Sequence, residues 1–205
     1  MLPDSSPQSN PSAGHRSDYR LACLAGFMGS GKTTVGLLLA RQLAWRFEDL
    51  DARIEQSAGL SISAIFERRG EAAFRQIERE QFEKTLGRVA ESGEAIVLAM
   101  GGGTYAQPGI VERLRAFGAV VIWLDCPVNL LLARCATMNN RPLFRDEASF
   151  RNLLAARLPF YEQADYRVAG EDDPAVVVAR ILALAPFAKR LTNLGEELSA
   201  RRVKP

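Results

Sequence analysis

The segment Gly26–Gly36, GFMGSGKTTVG, packs four glycines, one lysine and two threonines into eleven residues. Its first eight residues, Gly26-Phe27-Met28-Gly29-Ser30-Gly31-Lys32-Thr33, match G-x-x-x-x-G-K-[ST] without a mismatch. Glycines at this spacing let the backbone turn so that successive N–H groups point into one cavity, and a helix start adds its positive end. In such a loop the Lys32 ammonium reaches the β- and γ-phosphates and the Thr33 hydroxyl can ligate Mg²⁺. An apolar stretch precedes the loop and a helical apolar pattern follows it, as the motif requires. Gly29, Ser30, Gly31, Lys32, Thr33 and Thr34 are therefore candidate contacts of a nucleoside triphosphate, read as ATP. No [NT]-K-x-D guanine motif follows a later strand; LDCPVN stands after the strand candidate 119–125. That argues against a switch GTPase, and the chain is short for a motor ATPase. A small kinase fits better.

The stretch FEDLDARIE places Asp49 and Asp51 two residues apart. At a strand end, period two would put both carboxylates on one face, and parallel strands bring such ends to the rim that carries the phosphate loop. One carboxylate would then serve Mg²⁺ and the other would accept the proton of an attacking hydroxyl. The alternative is a solvated acidic turn in which Asp51 caps the following helix.

These groups need a scaffold. A chain of 205 residues with 47% hydrophobic content builds one substantial core. The net charge of +2 gives no basic field for nucleic acid. His15 is the only histidine, which excludes a histidine triad or a multi-histidine metal site. Cys23, Cys126 and Cys135 show no C-x-x-C spacing and read as small buried hydrophobes of a reducing compartment. The first 18 residues are rich in Ser, Pro and Asn and read as a disordered tail without the apolar core of a secretory signal. No apolar run approaches the ~20 residues that span a bilayer. The expectation is a cytoplasmic protein with no membrane or nucleic-acid partner.

Apolar runs of strand length occur at 20–26, 96–100 and 119–125, with shorter candidates at 45–51 and 166–170. The three longer runs lack polar alternation, as parallel strands covered on both faces do. Helical patterns lie between them: KTTVGLLLARQLA, the long amphipathic segment from Gly70 to Ser92, PVNLLLARCA, a helix ended near Pro159, and DPAVVVARILALA. This alternation implies an α/β, three-layer α-β-α architecture around a parallel sheet of about five strands. The boundaries expected are a tail at 1–18, a domain at 19–185, and a helical or disordered tail at 186–205.

GEAAFRQIE (70–78), GGGTYAQPG (101–109), RPLF (141–144) and RLPFYEQAD (157–165) occur in that order after the phosphate loop and D-x-D. Together they resemble the shikimate kinase family from about Leu21 to Leu184. The resemblance implies a P-loop fold like that of nucleoside-monophosphate kinases, with a mobile lid. It implies a monomeric enzyme that transfers the ATP γ-phosphate to the 3-hydroxyl of shikimate with Mg²⁺, a step toward chorismate and the aromatic amino acids. By the same resemblance Lys32, Asp51 and Arg141 are catalytic, Asp51 as the base. Asp49 joins Thr33 near Mg²⁺. Arg75 and Arg157 bind the shikimate carboxylate, Gly101, Gly102 and Gly103 line the substrate, Arg134 packs on the adenine, and Arg141 reaches the transferring phosphate from the lid.

Each role has chemical sense: guanidinium binds carboxylate bidentately, and consecutive glycines admit a ligand close to the backbone. The bland alternatives are surface arginines with stems on the core and a tight strand exit. Departures from the family's common form are Phe144 after R-P-L, and a threonine and the bulky Tyr105 after the glycines. A kinase for another polyol acid such as gluconate, a nucleoside kinase, and a relative that has lost catalysis are the competing readings. The two arginines argue against the nucleoside, and the complete set of catalytic groups argues against the loss.

Overall fold

The structure, a computed structural model, describes residues 8–9, 19–136 and 146–188. Its six strands are β1 (Gln8–Ser9), β2 (Leu21–Ala25), β3 (Arg46–Asp49), β4 (Ile96–Ala99), β5 (Val120–Asp125) and β6 (Tyr166–Ala169). They form one sheet in the order β1-β6-β5-β2-β4-β3. β2 to β6 are parallel, and β1 pairs antiparallel with β6 at the edge. The helices are α1 (Lys32–Leu43), α2 (Leu50–Ala58), α3 (Ile62–Ser92), α4 (Ile110–Phe117), α5 (Val128–Ala136), α6 (Glu147–Tyr161) and α7 (Pro174–Leu182). The five parallel strands flanked by helices bear out the three-layer α/β expectation.

The missing polar alternation has a direct cause. Along β2, Leu21, Cys23 and Ala25 face a core built with α2 to α6, while Ala22 and Leu24 face the core under α1 and α7. β5 divides in the same way, with Val121 and Trp123 on one side and Val120, Ile122 and Leu124 on the other. Both faces are covered, so both sets of side chains must be apolar. All three cysteines are free and buried, as their spacing suggested. Phe187 closes the second core edge-on against Trp45, with ring centroids 6.3 Å apart, so the packed chain reaches at least this residue.

Three elements differ from the sequence reading. α3 comprises two helical stretches: Gly70, with the non-helical φ of 79° and ψ of 172°, starts the long one where the sequence places it, and a shorter one from Ile62 precedes it that the sequence reading did not include. Ser61 caps the start of the shorter one by accepting from Ala64 N at 3.2 Å. α6 does not stop at Pro159 but runs on to Tyr161. α4 was not anticipated, although Gly109 and Gly118 bracket it and Ile110, Val111 and Leu114 mark its buried face.

The order of the strands sets the place of the site. The chain leaves β2 for strands on one side of it and later returns to build strands on the other, so β2 sits at the switch point where α/β sheets bind ligands. α1 must then lie close on the sheet. Gly36 allows this: a Cβ there would sit 2.6 Å from the Phe47 ring and 3.2 Å from Leu24. Gly36→Val should therefore overpack this contact and lower unfolding free energy by about 1–3 kcal/mol, measured by denaturant titration.

Candidate active site

β2 ends at Ala25 and the chain turns at Gly26, whose φ of 145° brings its Cα against Leu124 O and Ser30 Oγ. A Cβ there would lie 2.8 Å from each, so a side chain would force the loop open. No side chain caps the start of α1, which leaves its first N–H groups directed at the loop's cavity. Lys32 Nζ donates to the carbonyls of Gly26 and Phe27, both at 2.9 Å, and so lies across the loop's mouth. A cleft of about 390 Å³ opens here, lined by Gly29 to Val35, Asp49, Asp51 and Arg134.

Thr33 Oγ1 donates to Asp49 Oδ2 at 2.6 Å. The other Asp49 oxygen accepts from Asp51 N at 3.0 Å and Ala52 N at 3.4 Å, so Asp49, not Asp51, caps α2. β3 stops at Asp49, and Asp51 stands in the first helical turn. The two carboxylates therefore share the cleft because a strand end and a helix start meet there, not through strand alternation. Glu48, buried on β3 among Arg46 (3.4 Å), Arg53 (3.4 Å) and Arg88, anchors the strand just before this point. Thr33 and Asp49 offer two hard oxygens beside the phosphate loop. Among the described residues no group of three or more His, Cys, Asp or Glu forms a closed metal cage. This donor set suits Mg²⁺, which keeps several waters and binds through one or two protein oxygens plus phosphate.

Arg134 on α5 lines the same cleft beside Pro174 and Val177. Its Nη1 donates to Gly29 O at 3.2 Å and Gly170 O at 3.4 Å, tying α5 to the phosphate loop and to the turn after β6. Of the expected lid at 136–149, Ala136 ends α5 and Asp146 caps α6, so the ends of that segment are helical rather than loop, while Arg141 and Phe144 with the rest of 137–145 lie outside the described residues.

The acceptor half lies beyond β4. Gly101 has Asp51 Oδ1 2.6 Å from its Cβ position, so the Asp51 carboxylate faces the glycine turn. Above Gly103 two guanidiniums meet: its Cβ position is 2.9 Å from Arg157 Nη2 and 3.1 Å from Arg75 Nη1. Their environments differ. Arg75, stacked 5.0 Å from the Phe74 ring, pairs with Glu78 at 2.8 Å and Glu71 at 3.1 Å. Burial pulls its pKa down, but the hydrogen bond and charge of Glu78, then those of Glu71, outweigh this and hold it above the ordinary value. Arg157 is 7% exposed and lies over the Phe27 ring at 5.4 Å. Among the described residues no carboxylate pairs with it. Burial, with the Arg75 charge further down the order, pulls its pKa down despite Tyr161. Tyr161 donates to the Gly102 carbonyl, which places its phenol beside Arg157 and the glycine turn.

The structure thus brings Lys32, Thr33, Asp49, Asp51, Arg134, the three glycines, Arg75 and Arg157 to one rim of the sheet. Sequence reasoning assigned no role to Glu78 and Tyr161. The i,i+3 spacing of Arg75 and Glu78 on a helix was the available signal for the first. For Tyr161, nothing short of the fold shows which carbonyl its hydroxyl will meet.

Burial favours the protonated forms of Tyr161, pushed up to about 12, and of Cys126, pushed up to about 11. Groups that hold their proton more tightly when folded stabilise fully below the unfolded values of 10.0 and 9.0 and lose this as pH rises through the folded ones. Unfolding free energy should accordingly fall between about pH 9 and 12, by up to about 1.4 kcal/mol per pH unit for each group. Burial raises Tyr105 and Tyr166 as well, so in denaturant titrations across that range Tyr161→Phe should reduce, not abolish, the fall that sets in above about pH 10.

A shikimate kinase family model matches residues 28–185. The shikimate kinase of Synechococcus elongatus is 43% identical over 168 residues, covering 80% of this chain and 85% of that one. Among solved structures, shikimate kinase from Aquifex aeolicus superposes with a TM-score of 0.69 at 37% identity, over 79% of this chain and 94% of its own. Shikimate kinase from Acinetobacter baumannii, determined in complex with shikimate, superposes at 0.70 with 34% identity over 92% and 97% of the two chains. With a phosphate loop, a carboxylate pair and two converging guanidiniums on one rim, and with these likenesses along most of its length, the chain belongs to the shikimate kinase family.

Proposed function

We infer that the protein transfers the γ-phosphoryl group of ATP to the 3-hydroxyl of shikimate, giving shikimate 3-phosphate and ADP. The observation that carries this is Arg157: a buried guanidinium without a carboxylate partner among the described residues, meeting Arg75 above Gly103 in reach of the phosphate loop. A buried cation that lacks its counter-charge is a site built for an anion. A ring acid whose carboxylate takes that place directs its hydroxyls along the glycine turn toward Asp51.

In this reading Gly29, Ser30, Gly31, Lys32, Thr33 and Thr34 hold the triphosphate, and Arg134 packs on the adenine. Asp51 orients the attacking hydroxyl and accepts its proton as the new O–P bond forms and the bond to the ADP oxygen breaks. Gly101, Gly102 and Gly103 let the substrate lie against the backbone. Thr33 and Asp49 would hold Mg²⁺, which when bound neutralises charge on the β- and γ-phosphates. Arg141, on the lid, would stabilise the transferring group and help exclude water. The same reading places the enzyme in the cytoplasm. Among the described residues no helix is long and apolar enough to cross a membrane.

A coupled ADP-release assay over a panel of hydroxylated acids tests this. Turnover with shikimate is expected; turnover with gluconate or a nucleoside but not shikimate overturns it. Arg157→Ala should lower kcat/KM for shikimate by at least about 100-fold, the scale of a lost buried charge contact, with KM for ATP within about twofold.

A further inference from the structure

We propose that Thr104 and Gln107 are positioning residues for the acid substrate, acting through Glu78 on Arg75. The proposal rests on the reading that the substrate carboxylate binds between Arg75 and Arg157. Glu78 on α3 is 1% exposed, and its two oxygens are divided among three donors. Oε1 accepts from Thr104 Oγ1 at 2.5 Å. Oε2 accepts from Gln107 Nε2 at 2.5 Å and from Arg75 Nη1 at 2.8 Å. The Arg75 atom held in this way is the one that stands over Gly103.

This division has a geometric consequence. A carboxylate facing an arginine alone tends to take it with both oxygens, in a bidentate fork. Thr104 holds Oε1 and Gln107 shares Oε2, and the orientation these two donors fix presents Arg75 with Oε2 alone. Arg75 is then braced from the side without being drawn off the site. Without either donor, Glu78 is free to turn about its last torsion and pull Nη1 toward itself and away from Gly103.

The donors are rigidly placed. Thr104 N donates to Gly101 O at 3.0 Å, Gln107 N to Thr104 O at 3.1 Å, and Ile110 N to Gln107 O at 3.3 Å. Tyr105, 1% exposed, roots the same turn in the core. One short segment therefore carries the glycine backbone that borders the acid and the two side chains that aim its arginine.

The experiment compares Thr104→Val, Thr104→Ser, Gln107→Leu and the wild type, alone and combined with Arg75→Ala. Thr104→Val keeps the shape and removes the donor. It should raise KM for shikimate about tenfold, the scale of a lost hydrogen bond to a charged group, and leave KM for ATP within about twofold. Gln107→Leu should act in the same direction, and Thr104→Ser should restore the wild-type value. In the Arg75→Ala background Thr104→Val should add no further loss, because its route to the substrate is gone. Additive losses there, or equal rises in KM for ATP and for the acid, overturn the proposal in favour of a structural brace. A readout without substrate separates this from the functional reading: the Arg75 side-chain ¹⁵N–¹H signals should show restricted rotation in the wild type and averaging in Thr104→Val. Unchanged signals in Thr104→Val and Gln107→Leu overturn the proposal even if shikimate is phosphorylated. Changed signals uphold it even if the wild type proves to act on a different acid.

Discussion

β2 is hydrogen-bonded on both edges, to β4 and β5, and covered on both faces. The rest of the site depends on this immobility. A phosphate loop works by holding backbone N–H groups away from secondary-structure partners and toward an anion. That arrangement is stable when both ends of the loop are fixed by something else. Here one end is a strand paired on both edges and covered on both faces, and the other is α1, which Gly36 lets settle against Leu24 and Phe47. The neighbours of β2 do the remaining placing. β3 and β4 run parallel to it, so Asp49 and Gly101 emerge at the same rim as the loop.

Charge is handled differently on the two sides of this rim. Toward the outer edge, Glu48 is surrounded by Arg46, Arg53 and Arg88, and a buried acid is answered by an excess of cations. Such clusters fix geometry more than they add stability. At the acceptor side the imbalance runs the other way. Arg75 has Glu78 and Glu71, while Arg157 has a phenol and an aromatic face. The desolvation that lowers the pKa of Arg157 is a standing cost of the fold. A substrate carboxylate would offset it, which is how a binding site differs from a structural ion pair.

Asp49 joins the two halves. One of its oxygens takes the Thr33 hydroxyl of the phosphate loop, and the other caps the helix that carries Asp51. A movement at Thr33 would be felt at the start of α2, and so at the Asp51 carboxylate. Capping also lets a strand hand over to a helix with no linker, which keeps Asp51 within reach of Gly101.

Much of this was legible in the sequence because it is local. The phosphate loop needs glycines and a lysine at set intervals, strands covered on both faces need unbroken apolar runs, and the residues 70–78, 101–109 and 157–165 carry their pattern in their own order. Gly70 does break α3 as its residue type predicts, but the sequence reading does not include the helical stretch before it, and α6 runs past Pro159 because packing decides whether a helix continues. The family resemblance named Arg75 and Arg157, whereas the residues by themselves favoured surface arginines with stems on the core. Their burial, their meeting above Gly103 and the contrast between their partners belong to the tertiary structure. So do Asp49 as the cap and the three donors around Glu78. Pattern and propensity act between neighbours in the chain and are written in the sequence; which charge is left without a partner depends on groups dozens of residues apart, and folding alone brings those together.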